Sequence, residues 1–259
     1  DGGVLTGKGL SFGGSLTRSE ATGYGLCYLT EEMLHCMKQE SLQGKRVAIS
    51  GSGNVAIFAC QKAQELGAKV ITMSDSNGCI YDPEGIRLDV VKDIKLRRRG
   101  RIREYAQLVP GSEFRSDFRD LWSVPCDVAL PCATQNEIDA ETARRIVRGG
   151  AMALAEGANM PSTPAAIEVL REGGVLFAPA KAANAGGVAV SGLEMCQNSM
   201  RLAWTFDEVD QRLHQIMLDI FHNIYDASVE YGVPGNLLDG ANIAGFRKVA
   251  DAMLAQGVC

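Results

Sequence analysis

The residues with the clearest chemical capacity are Gly51-Ser52-Gly53-Asn54-Val55-Ala56, a G-x-G-x-x-A pattern. In such a pattern the first glycine makes a tight turn and the second lets the backbone approach a pyrophosphate. The third small residue allows helix and strand to pack closely. The free N–H groups at the start of the following helix, with its positive dipole end, suit a phosphate. The pattern follows an apolar run (Arg46 to Ser50), opens a helix-like run (Asn54 to Leu66), and is followed 24 residues after Gly51 by Asp75 at the end of the next apolar run. That context makes a dinucleotide site of an otherwise weak glycine signal.

Asp75 favours a ribose with both hydroxyls free, as in NAD, because a carboxylate there accepts from them and repels a 2′-phosphate. Ser76 and Asn77 add small polar donors, and a basic run follows at Lys95, Arg97, Arg98, Arg99, Arg101 and Arg103. A phosphate placed between Ser76 and Lys95 or Arg98 would be held by charge-assisted bonds. The run also reads as a solvated helix end with cations at its C-terminus. The acid and the bases point to opposite cofactors, and residue chemistry alone leaves NAD and NADP both open.

Three further strand-like runs end in small or polar residues: Ala133, Thr134 and Gln135 after Asp127 to Leu130, Ala158 and Asn159 after Ala151 to Ala155, and Asn184 after Gly174 to Ala178. Taken singly each reads as a cap for the next helix; together they put polar tips along one carboxyl edge. The eight cysteines (Cys27, Cys36, Cys60, Cys79, Cys126, Cys132, Cys196, Cys259) show no C-x-x-C pair or His-Cys cluster, so neither a metal site nor a disulfide framework is expected, and a reducing cytoplasm is. His214 and His222 lie eight apart on one long helical run without a carboxylate triad, and no catalytic role is assigned to them or to His35.

The elements that must position these groups alternate strand and helix. Thr17 to Glu20 reads as a capping box opening an amphipathic helix to about Lys38. Strands follow at Arg46 to Ser50 and Lys69 to Ser74. "CIYDPEGI" reads as a short excursion with a turn before a helix running through Arg98. Helices at Asp139 to Val147 and Thr163 to Arg171 separate the later strands. Beyond Gly187 the chain turns mainly helical, with long runs at Thr205 to Tyr231 and Ile243 to Gln256. The expectation is an α/β fold with a doubly wound, mainly parallel Rossmann-like sheet and a helical C-terminal extension. A length of 259 residues and 46% hydrophobic content are those of a globular chain with a sizeable core, and a net charge of −5 argues against a nucleic-acid partner. No run is long and apolar enough for a membrane span.

"GLSFGGSLTRSEATGYG", "SGSGNVA", "LPCATQNEID", "AEGANMPST", "APAKAANAGGVAVSGLEM" and "GANIAGFRKVADAMLAQG" together resemble hexameric bacterial glutamate dehydrogenases, above all their NADP-using members. The resemblance implies interconversion of L-glutamate with 2-oxoglutarate and ammonia, with NADP as cofactor. An NAD-linked glutamate or other amino-acid dehydrogenase, or a non-catalytic nucleotide-sensing domain, is the alternative. It implies that Thr22, Gly51, Ser52, Gly53, Asn54, Val55, Asp75, Ser76, Lys95, Arg98, Ala133, Thr134, Gln135, Ala158, Asn159 and Asn184 meet the cofactor, and that Val188 and Ser191 meet the substrate. It further implies an arm and first helix over 1–44, a dinucleotide-binding domain over 45–200 and a helical segment over 201–259 packing toward a further, N-terminal substrate domain. That domain would carry the catalytic lysines and aspartate, so none of the catalytic residues is expected in this chain, which should bind cofactor without turnover. The full enzyme would be a homohexamer.

Overall fold

Strand β1 (Arg46–Ile49) is the centre about which the chain winds. In this computed structural model, which describes residues 3–257, it pairs in parallel with β2 (Lys69–Asp75) on one side and β5 (Val128–Leu130) on the other. β6 (Ala153–Ala155) and β7 (Leu176–Ala178) extend the parallel sheet beyond β5. The full order is β4-β3-β2-β1-β5-β6-β7, with β3 (Gly78–Tyr81) antiparallel to both β2 and β4 (Glu113–Arg115). The order reverses at β1, so the crevice at the carboxyl ends of β1 and β5 is the switch point where open α/β sheets bind ligands.

The strands are apolar almost throughout because both faces are covered. Val47 and Ile49 point into one core with Val70, Val128, Leu130, Ala153 and Ala155; Ala48, Ile71, Ala129 and Leu154 point into the other. Helices α1 (Ala21–Lys38) and α2 (Asn54–Glu65) close the first face. α5 (Ala140–Arg148), α6 (Pro164–Glu172) and the 3-10 turn holding Trp122 close the second. α3 (Leu88–Lys92) and α4 (Tyr105–Leu108) lie between β3 and β4, and the short α7 (Ala180–Ala183) leads from β7 into α8 (Gly186–Met200). α9 (Phe206–Glu230) and α10 (Leu237–Gln256) end the chain.

The doubly wound, mainly parallel fold is the one expected, with four local departures. Thr17 to Glu20 forms no capping box. Thr17 is buried at φ 70°, its hydroxyl lies 3.5 Å from the Phe206 carbonyl oxygen, and no side chain caps α1. The "CIYDPEGI" stretch contributes β3 rather than a bare turn. β3 and β4, of four and three residues, are too short for alternation to register in the sequence. The helix after it holds only to Lys92, then widens into a π turn over Asp93–Arg97, where Arg98 N–H donates to the Asp93 carbonyl at 2.9 Å. α10 starts at Leu237, earlier than Ile243, because the Asn236 side chain caps it.

The C-terminal helices are tied to the sheet. α9 buries Val209, Leu213, Met217, Phe221 and Ile224 in the core that α1 shares, while α10 leaves Phe246, Val249, Met253 and Leu254 exposed. Among the described residues no helix is long and apolar enough to cross a membrane. The cysteines from Cys27 to Cys196 are free, and Cys259, with Asp1 and Gly2 of the arm, lies outside the described residues.

Close helix approach on the first face depends on a missing side chain. A Cβ on Gly23 of α1 would sit 2.4 Å from the Ala59 nitrogen and 2.7 Å from the Phe58 carbonyl carbon of α2. Backbone on the far side cannot step aside as a flexible side chain can. Gly23→Ala should therefore destabilise by about 2 kcal/mol and lower Tm by roughly 5 °C, as overpacking does. Gly192→Ala in α8 meets nothing within 4 Å and should instead stabilise by about 0.5–1 kcal/mol. Urea denaturation of both variants checks the pair of signs.

Candidate functional site

The turn after β1 is fixed by reciprocal hydrogen bonds to β2: Gly51 N–H donates to Ser74 Oγ at 2.8 Å, and Ser74 N–H donates to the Gly51 carbonyl at 3.1 Å. Gly51 sits at φ 84°, and a Cβ there would lie 3.0 Å from the Cys132 carbonyl oxygen and 3.1 Å from Ala133 Cα. Glycine is required twice over, by backbone conformation and by the neighbouring loop. Gly53 stands at the head of α2 with open space on its Cα, and no side chain caps the helix. Unclaimed N–H groups at the start of a 12-residue helix, approached over a bare glycine, fit a pyrophosphate.

Two clefts flank this turn and meet at Cys132, Ala133 and Thr134. The first, about 490 Å³, is lined by Gly51, Ser52, Gly53, Asp75, Ser76 and Phe118 among others. The second, about 560 Å³, is lined by Thr22, Val55, Gln135, Ala158, Asn159, Asn184, Val188 and Arg18 among others. The residues expected at the site thus separate into two halves along one sheet edge. Asn54, first residue of α2, stands exposed between them but lines neither.

In the first half the acid is not free. The Asp75 carboxylate accepts from Ile102 N–H at 2.8 Å, Asn77 N–H at 2.9 Å and Lys95 Nζ at 3.2 Å. Burial alone would raise its pKa, but these three donors outweigh burial and hold it below the ordinary carboxylate value. Lys95 arrives from the π turn and also donates to the Gly100 carbonyl at 3.1 Å. Arg98 does not join them: its guanidinium pairs with Asp93 at 3.0 Å and Glu104 at 3.2 Å, away from Ser76. The base that reaches the serine is Arg101, whose Nη1 donates to Ser76 Oγ at 3.2 Å. The basic run contained it, but spacing alone could not tell which member the chain turns back toward the sheet.

In the second half, Arg18 is the cation that the sequence reading passed over. Its guanidinium lies beside Thr22 and Gly187, and its buried Nε has no hydrogen-bond partner. A guanidinium on a cleft wall, with no carboxylate paired to it among the described residues, fits an anionic group. Asn184 Nδ2 donates to Asn159 Oδ1 at 2.9 Å and to the Ala158 carbonyl at 3.3 Å, fastening two of the polar tips together. Val188 is 78% exposed on the cleft wall. Ser191 lies one turn further along α8, outside the lining, with its hydroxyl donating to the Gly187 carbonyl at 3.0 Å.

Beneath the edge lie two buried glutamates that nothing in their sequence context distinguished. Glu137 Oε1 accepts from Ser50 Oγ at 2.8 Å, Ala133 N–H at 3.3 Å and Thr134 N–H at 3.5 Å, and Ser50 Oγ in turn accepts from Cys132 N–H at 2.9 Å. Glu156 does the same for the next loops, accepting from Ser162 N–H at 3.1 Å and Ala180 N–H at 2.8 Å. Burial pushes both upward, Glu137 to about 7 against the pull of its donors. The other Glu137 oxygen has no hydrogen-bond partner.

A family model described as Glutamate/Leucine/Phenylalanine/Valine dehydrogenase matches residues 13–257. The chain belongs to this family. The NADP-specific glutamate dehydrogenase of Escherichia coli (strain K12) is 56% identical over 266 aligned residues, covering 98% of this chain and 57% of its own. That of Helicobacter pylori (strain J99) is 51% identical over 99% of this chain and 58% of its own. Plasmodium falciparum glutamate dehydrogenase superposes with a TM-score of 0.94 at 43% identity over 98% of this chain and 55% of that one. A hetero-hexameric glutamate dehydrogenase from Thermus thermophilus, in its Leu-bound form, gives 0.86 at 26% identity over 99% and 58%. The chain therefore spans less than two thirds of the length of these dehydrogenases.

Glu137 yields a pH test within this dehydrogenase-family scaffold. Its folded pKa of about 7 lies above the ordinary 4.5, so between those values the folded state holds a proton that the unfolded state has lost. Stability must then fall as pH rises through that window, by on the order of 3 kcal/mol, and level off above it. Glu137→Gln keeps the accepting oxygen and cannot ionise. Urea unfolding from pH 5 to pH 8.5 should show the wild type losing stability relative to Glu137→Gln; parallel profiles would contradict the assignment.

Proposed function

We propose that this chain is the NADP(H)-binding part of a glutamate dehydrogenase, which interconverts L-glutamate with 2-oxoglutarate and ammonia. The observation that carries the cofactor reading is the Asp75 carboxylate, engaged by Ile102 and Lys95 on one oxygen and by Asn77 on the other, while Arg101 stands on Ser76. A carboxylate whose oxygens already accept from three internal donors is a poor partner for ribose hydroxyls. With Lys95 beside it, its charge no longer repels a phosphate. Ser76 Oγ, Ser76 N–H and the Arg101 guanidinium would receive the 2′-phosphate, and relatives named NADP-specific support the same choice.

The pyrophosphate would lie on the Gly51–Gly53 turn at the head of α2, with Ala133 and Thr134 as the opposite wall and the nicotinamide end in the second cleft. There Thr22, Gln135, Asn159 and Asn184 offer the mixed donors and acceptors that a carboxamide and a ribose require. The bound nicotinamide supplies hydride transfer; the chain's own work is to bind it, orient it and exclude water. Arg18, with its unpaired nitrogen, would meet a carboxylate of the amino acid. Val188 would face the substrate's aliphatic carbons. For Ser191 to donate to the distal carboxylate, its hydroxyl must turn away from the Gly187 carbonyl.

The two clefts are lined by three ionisable side chains among the described residues: Arg18, Asp75 and Cys132. Arg18 is cationic at any ordinary pH, Asp75 is held ionised, and burial raises the Cys132 thiol well above its ordinary value. None can shuttle a proton near neutrality. We therefore assign proton transfer to a further substrate domain, as the partial span of the relatives' length supports. On this reading 1–44 is the arm and first helix, 45–200 the dinucleotide domain, and 201–259 a helical segment whose exposed α10 residues face that partner domain. The working assembly is a cytoplasmic homohexamer.

Calorimetric titration with NADPH and NADH tests the cofactor assignment. NADPH should bind more tightly, and Arg101→Ala should weaken it about tenfold or more, the loss of one charge-assisted phosphate contact, without changing NADH affinity. Arg98→Ala should leave both unchanged. Equal affinity for the two cofactors in the wild type would overturn the 2′-phosphate reading.

A further inference from the structure

At the end of α1 remote from Thr22, three ligating side chains of different type converge across the α1–α9 contact. Glu32 and Cys36 are one helical turn apart on α1, and His222 projects from α9. His222 Nε2 lies 2.9 Å from Glu32 Oε1, and Cys36 Sγ lies 3.1 Å from the same oxygen. The three ligating atoms all fall within 4.8 Å of one another, and this is the one such group of His, Cys and carboxylate side chains found among the described residues. Sequence spacing could not reveal it, because His222 is brought in from a distant helix.

The arrangement is held by its surroundings rather than by its own hydrogen bonds. Phe221, next to His222, is fully buried in the core shared by α1 and α9. Two turns earlier His214 stacks on Tyr28 of α1 with ring centroids 4.3 Å apart, so the two helices are keyed at both places. The Glu32 side chain is 19% exposed and the His222 side chain 49%, which leaves one open side for solvent.

We propose that Glu32, Cys36 and His222 form a zinc-binding site that clamps α1 to α9. A tetrahedral Zn²⁺ with bonds of about 2.0–2.3 Å places its ligands roughly 3.3–3.8 Å apart, a slight expansion of the 2.9 and 3.1 Å to Glu32 Oε1, with the His222 and Cys36 atoms within 4.8 Å of each other. Imidazole, thiolate and carboxylate together suit this borderline-soft ion, and water takes the fourth position on the exposed side. At present the Cys36 thiol donates to Glu32, and burial together with that bond raises it to about 11. On binding, the ion takes the place of the protons that Cys36 and His222 direct at Glu32: the thiol proton is released to solvent, and the Nε2 proton is given up to solvent while the ring carries its proton on Nδ1, which frees the Nε2 lone pair for the ion. Two anionic ligands then balance the ion's charge. The site is separate from both clefts, so it acts on the stability of the helix pair and not on cofactor contacts.

The test is titration of chelator-treated protein with Zn²⁺ alone. One ion should bind per chain in the micromolar range or tighter and raise Tm by mass action. Cys36→Ser and His222→Gln should each weaken binding at least tenfold and abolish the Tm shift, while NADPH affinity stays unchanged. Co²⁺ in place of Zn²⁺ should give a thiolate-to-metal charge-transfer band that Cys36→Ser lacks. Binding only at millimolar Zn²⁺, or affinity and cobalt spectrum unaltered in both variants, would overturn the proposal.

Discussion

The charge state of one carboxylate governs how the site is to be understood. Asp75 stands where an acid would ordinarily receive ribose hydroxyls, yet its oxygens are taken by the Ile102 and Asn77 amides and by Lys95. Those contacts depend on the unusual course of the chain after β3. The π turn over Asp93–Arg97 turns Lys95 inward, and the reversal at Gly100 brings the Ile102 amide and the Arg101 guanidinium back to the end of β2. A π turn is rare and recurs where a helix must aim a particular side chain. Here it converts an acid that would repel phosphate into the base of a pocket with net positive surroundings.

The second constraint is backbone proximity. The Gly51 turn and the Cys132–Ala133 loop approach so closely that a β-carbon on Gly51 would sit 3.0 Å from the Cys132 carbonyl oxygen and press the loop outward. The contact divides the sheet edge into two clefts that share a floor. On the function proposed above, the space over the loop opposite Gly51 is the cofactor's. The loop is held from below, by Glu137 through Ser50 and the Ala133 and Thr134 amides. Glu156 repeats the device for the loops after β6 and β7. A buried carboxyl accepting several backbone N–H bonds rigidifies a loop that makes no secondary structure of its own.

What was legible in the sequence follows from the range of the interactions. Parallel strands buried on both faces are written as apolar runs, and glycine turns as local spacing, so β1, α2, β2 and the three later strands with their polar tips could be placed. β3 and β4 could not, because these short antiparallel strands are stabilised by pairing rather than by pattern. Thr17 shows the reverse error. Its spacing to Glu20 suited a capping box, but tertiary contact with Phe206 holds it at φ 70°. Arg98 and Arg101 are equivalent as letters in a basic run, and only the fold turns one toward Ser76 and the other toward Asp93. Arg18, Glu137 and Glu156 were passed over for the same reason, since being unpaired or buried is a property of the assembled neighbourhood.

The charge inventory of the clefts separates binding from proton chemistry. A permanently cationic guanidinium, a carboxylate kept ionised by internal donors and a thiol kept neutral by burial do not change state around neutral pH. The lining of the two clefts is therefore electrostatically constant around neutral pH. Constancy favours orientation, because a positioning surface that titrated would move its ligand as it did so. Glu137, which burial raises to about 7, sits behind the loop, where its charge is felt through the amides it holds and not by contact. On the function proposed above, a pH-dependent rate would have two separable origins: acid–base groups outside this chain, and loosening of the 131–137 loop as Glu137 loses its proton.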